Sequence, residues 1–138
     1  MKDFQLDKIE KGFQWLQAEF EDIDTIQSVD MLIQKLNILN STLAWAGEQM
    51  AIAKFNYNKA KSQAYINLEA SNIANGQTKF SPLLAKDFVA SSCSQKAYEF
   101  DLVERFCRTI VHIADNIRTA ISALKEQLKL DMQAERSY

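Results

Sequence analysis

The chain has 138 residues, of which 47% are apolar and 25% charged, with three Gly, one Pro and a formal net charge of −2. That is enough for one domain with a real core, which argues against a disordered chain, and so little Gly and Pro makes an almost wholly helical protein the economical reading. No window approaches a run of about twenty apolar residues, and the N-terminal Met-Lys-Asp-Phe-Gln-Leu-Asp-Lys lacks the apolar stretch of a secretory signal, so the expectation is a soluble, cytoplasmic protein with no membrane partner.

The charge is unevenly spread. Residues 1–30 carry three Lys/Arg against eight Asp/Glu, residues 31–96 carry seven against three, and residues 97–138 carry six against seven. The middle of the chain is therefore a basic island that the mean pI near 5.4 conceals.

From about Asp3 to Phe20, the residues Phe4, Ile9, Phe13, Leu16 and Phe20 recur at near-helical spacing with Trp15 beside them, which predicts an amphipathic N-terminal segment, 1–24. These aromatics suit the end of a helical core, or the surface of a neighbouring subunit. Glu21 to Thr25 breaks the period, and Asp24 or Thr25 can cap the helix that follows.

That helix, 25–72, carries Val29, Leu32, Leu36, Leu39, Leu43, Ala46, Met50, Ala53, Tyr57, Ala60 and Ala64 at alternating steps of three and four. Such a rhythm is the heptad signature of helices packed lengthwise. Ala-rich packing in its second half lets a partner approach closely, or admits a third helix. Gly47 is the one residue that weakens it.

The connection, 73–93, opens on the turn signal Asn75-Gly76 and contains Ser81-Pro82, a favourable helix start. A short helix from Pro82 to about Ala90 is expected to bury Leu83, Leu84, Phe88 and Val89. The last long helix, 94–131, repeats the heptad through Phe100, Val103, Cys107, Ile110, Ala114, Ile117, Ile121, Leu124 and Leu128, and its tail is expected to fray. The fold class is therefore all-α: a long antiparallel, coiled-coil-like helical hairpin with a short N-terminal helix and a short helix in the connection. The apolar residues Phe106, Val111 and Ile113 beside the last seam suggest a second packing face.

Little here suits catalysis. His112 lies off the seam, and two Cys with one His lack metal-ligand spacing. Three glycines do not make a phosphate-cradling loop. Cys93 and Cys107 are read as free thiols, because a helix starting at Ser94 carries Cys107 roughly 20 Å along its axis. The chain is read as a non-enzyme without metal or cofactor.

The basic island is the functional signal. Lys54, Asn58, Lys61 and Tyr65 share one flank of the second helix, and Phe55 and Lys59, four apart, lie on its outer face. Lysines at such spacing can track phosphates while Phe and Tyr offer faces for unpaired bases, the combination used on single-stranded nucleic acid. A solvated lysine face, with Phe55 covered by the N-terminal helix, is the plainer account of the same residues.

Lys59-Ala60-Lys61 followed by Tyr65, the loop around Gly76 and then Phe106-Cys107 on the last helix also make the order of features, over roughly residues 30–132, resemble the UvsY-type recombination mediators of T-even bacteriophages. Lys61 stands where the family motif has Arg, and Ala64 replaces one of two adjacent aromatics. The resemblance implies a homo-oligomer that binds single-stranded DNA, helps remove single-strand-binding protein and loads a RecA-like recombinase. Lys54, Lys59 and Lys61 would then meet phosphates, several copies acting on one strand. The alternative is a helical structural or adaptor protein that assembles with itself or with partner helices, its lysines pairing with a neighbour's acidic N-terminal segment.

Overall fold

The computed structural model describes residues 2–74, 76 and 81–137. Four helices account for nearly all of them: α1 (Leu6–Phe20), α2 (Val29–Ala74), α3 (Pro82–Ser92) and α4 (Ser94–Arg136), with a single 3₁₀ turn at Ile23–Thr25 between the first two. No strand occurs among the described residues, and α2 packs against α4 as an antiparallel hairpin. The heptads supply the reason. Leu32, Leu39, Ala46 and Ala53, each seven residues from the next, are almost completely buried on α2, as are Val103, Ile110 and Ile117 on α4.

Several boundaries differ from the sequence reading, each for a local reason. Residues 3–5 are not helical: the backbone N–H of Gln5 donates to Gln49 Oε1 at 2.8 Å, and Lys2 reaches Glu48 at 3.2 Å, so this segment lies along α2. The cap of α2 is Ser28, whose Oγ accepts from Met31 N at 3.3 Å; Thr25 instead donates its hydroxyl to Asp22 O within the 3₁₀ turn. α2 runs unbroken through Gly47. The end of α4 does not fray at Asp131 but stays helical to Arg136. Of the turn expected at Asn75-Gly76, Asn75 lies outside the described residues, while Gly76 has a φ of +65°, a conformation in which a side chain would be strained.

The chain packs as two compact units, and each takes a stretch of both long helices. One comprises the N-terminal residues through Leu6 with Glu48–Glu104, so α3 lies within it. There Val89 and Cys93 pack on Ala64, with Tyr57 and Ala60 alongside. The small side chains of α2 thus admit a third helix, as expected. Tyr57 also meets the Phe100 ring edge-on at 6.1 Å between centroids. Only Val89 of α3 is buried, however: Leu83, Leu84 and Phe88, expected in the core, are 70%, 56% and 48% exposed. At about 100° per residue, an inward Val89 turns those three positions away.

The other unit joins Asp7–Gly47 to α4 from Arg105 onward. In it α1 supplies Ile9, Leu16 and Phe20 to the core. Phe13 meets Phe106 edge-on at 5.2 Å, and Lys35 of α2 donates to Glu19 O at 2.8 Å with its ammonium 5.2 Å from the Phe20 ring centre. The α1 aromatics therefore serve this core. Phe106, read as part of a second packing face, is 1% exposed beneath α1, which already occupies that face.

Candidate nucleic-acid interface

The basic stretch of α2 lies wholly within the α3-containing unit. The buried alanines Ala53 and Ala64, with the partly buried Ala60, set this stretch against its neighbours while the intervening residues project outward. Between Glu48 and Glu69 the helix contains three Lys and no acidic residue. Glu48 is engaged by Lys2. Among the described residues no acidic side chain pairs with Lys54 or Lys59, so their charges remain available to an anion.

Lys54, Asn58, Lys59 and Tyr65 are exposed, and Phe55 is 49% exposed, so it is not covered as a core residue would be. Lys61 differs. It is half-buried, and its Nζ sits 4.6 Å from the centre of the Tyr57 ring, a cation–π contact on its own helix.

The six residues do not form one surface. Lys54, Asn58, Lys61 and Tyr65 make one strip, and Phe55 with Lys59 lies roughly 110° further round the helix. The second strip continues through residues that the sequence reading passed over. Phe55, Lys59, Gln63 and Asn67 follow at four-residue steps, and such a row drifts slowly round the helix, here toward α3. It ends at a groove of about 280 Å³ lined by Ala60, Gln63, Ala64, Asn67, Phe88 and Ser92. The four-residue row was readable in the sequence; the contribution of Phe88 was not, because its burial had been assumed.

Inside the groove the polar groups are partly committed to one another. Gln63 Nε2 donates to Asn67 Oδ1 at 2.9 Å, and the Ser92 hydroxyl donates to Phe88 O at 2.9 Å. This leaves the Gln63 carbonyl oxygen as an acceptor and the Asn67 amide as a donor side by side.

Elsewhere in this unit, Cys93 is buried and its Sγ donates to Val89 O at 2.7 Å. Cys107, in the α1-containing unit, is also free, and burial pushes its thiol up from its ordinary value. His112 is exposed. Among the described residues no helix is long and apolar enough to cross a membrane. No protein-family model, curated protein or solved structure matches the chain.

Proposed function

We propose that this protein binds single-stranded DNA along the acid-free stretch of α2 and acts as an accessory protein in recombination. The observation that carries the reading is the pairing of two exposed lysines without ionic partners, Lys54 and Lys59, with the exposed rings of Phe55 and Tyr65 on one stretch of helix. Phosphates meet the ammonium groups, and unpaired bases meet the rings. A duplex offers no free base faces, so single strands are preferred. Two lysines give a small electrostatic contribution per chain, and useful affinity follows from several copies on one strand, as a homo-oligomer. The recombination setting, with a RecA-like recombinase and single-strand-binding protein as partners, comes from the resemblance to UvsY-type mediators alone.

Fluorescence anisotropy of a labelled single-stranded oligonucleotide at about 50 mM salt tests the reading, in the range where phosphate contacts are strong. Wild-type protein binds and Lys54→Ala/Lys59→Ala loses most of that binding. A wild-type protein that leaves the oligonucleotide free would sink the proposal.

A second reading draws on Leu83 and Leu84, exposed on α3, which fit an adaptor that binds partner helices. Lys59→Glu/Lys61→Glu separates the two. An adaptor that uses its lysines against acidic neighbours loses assembly, whereas the mediator loses DNA binding.

A further inference from the structure

We propose that the groove between α2 and α3 seats an unpaired nucleobase of the bound strand, with Phe88 as the stacking face and Gln63 and Asn67 as the groups that meet the base edge. The proposal rests on the reading of this chain as a single-strand-binding protein and assigns it a specific contact.

The row Phe55, Lys59, Gln63, Asn67 spans about 18 Å at 1.5 Å per residue, each step covering about 6 Å. A step of that size is of the order of one nucleotide in an extended strand. Aromatic, cationic and amide side chains thus follow one another at the spacing at which a strand presents base, phosphate and base. Lys59 stands one helical turn before Gln63, close enough for one nucleotide to place its phosphate at the ammonium and its base in the groove.

The groove has the chemistry for that base. Its volume of about 280 Å³ admits one ring system and excludes a duplex. Phe88 is 48% exposed on its edge, so a flat surface is open to a flat ligand. Gln63 gives one amide hydrogen to Asn67 Oδ1, and the pair keeps the Gln63 carbonyl oxygen as an acceptor and the Asn67 amide as a donor toward a base edge. All four bases offer a neighbouring donor and acceptor on their pairing edge, so the contact tolerates sequence. The small residues Ala60 and Ala64 line the groove beside Phe88 and take up little of its space. The strip of Lys54, Asn58, Lys61 and Tyr65 faces elsewhere and belongs to the outer course of the strand.

The test compares a labelled oligothymidylate with an abasic strand of the same length, both titrated by anisotropy at low salt. Wild-type protein binds the thymidylate more tightly by well over tenfold, since Phe55, Tyr65 and Phe88 each stack a base and one stacked base alone is worth about tenfold. Phe88→Ala lowers that preference about tenfold, the remainder resting on Phe55 and Tyr65, and leaves affinity for the abasic strand unchanged; its helicity, read by circular dichroism, stays intact because the ring is half exposed. Gln63→Ala/Asn67→Ala, at two exposed positions, shifts the preference in the same direction. Equal wild-type affinity for both strands overturns the base seat while strand binding stands. A preference undiminished in Phe88→Ala also overturns it. Absence of binding to either strand overturns the strand reading, and the seat with it.

Discussion

Gly12 of α1 lies so close to Phe106 of α4 that a Cβ on Gly12 would stand 2.8 Å from two carbons of the ring. Phe106 is 1% exposed and held edge-on by Phe13, so its ring has no room to retreat. Gly12→Ala gains about 1 kcal/mol of helix propensity and loses more to overpacking, for a net destabilisation of about 1 kcal/mol. Urea unfolding followed by circular dichroism reads the difference. A stabilised variant would contradict the close packing of α1 on α4.

Gly47 gives the opposite sign. It sits inside the unbroken α2, and nothing lies within 4 Å of a Cβ built there. Gly47→Ala therefore stabilises by roughly 0.5–1 kcal/mol, through helix propensity and a less flexible unfolded chain. The same unfolding measurement checks it, and a loss of stability would mean that the helix breaks at this residue in solution.

Cys107 makes stability depend on alkaline pH. Burial raises its folded-state thiol pKa above the ordinary 9.0, so above that pH the unfolded chain ionises first and the folded state holds the extra proton. Stability from this group is fully present below about pH 9 and falls as the pH rises through the raised value. Unfolding midpoints at about pH 8 and about pH 10 should differ less in Cys107→Ala than in the wild type. Equal differences would contradict the burial.

Glu99 is 8% exposed in the α3-containing unit, and its Oε2 makes no hydrogen bond, although Lys96 Nζ approaches to 3.3 Å. The lysine is itself partly exposed, so their attraction is screened while the carboxylate still bears the cost of leaving water. Glu99→Gln keeps the shape, removes the charge and raises the free energy of unfolding by up to about 1 kcal/mol, read by urea unfolding. A drop of that size would show the ion pair to be the larger effect.

The hairpin could be read from the chain because seven-residue spacing alone places Leu32, Leu39 and Ala46, or Val103, Ile110 and Ile117, on one line. Ser81-Pro82 gave the start of α3 for an equally local reason: Ser81 Oγ accepts from Leu84 N at 3.3 Å. What escaped needed a partner to be known. Phe106 looked like surplus apolar surface until α1 covered it, and the acidic Glu99, four residues before the buried Val103, is itself buried. Leu84 and Phe88 looked like core residues because α3 is short and apolar, yet a single inward residue, Val89, orients it. The candidate site divides the same way. Lys54, Phe55 and Lys59 were legible from their position relative to the seam, whereas the diversion of Lys61 to Tyr57 and the groove at Phe88 depend on side-chain direction and on α3.

The central claim is strand binding through lysine, and its most direct test is the salt dependence of affinity for a single-stranded oligonucleotide between about 50 and 200 mM salt. The account predicts that log affinity falls linearly with log salt, and that Lys59→Ala lowers the slope by about 0.7 for each copy engaged on the strand. No binding at the lowest salt, or a slope unchanged in the variant, would contradict it.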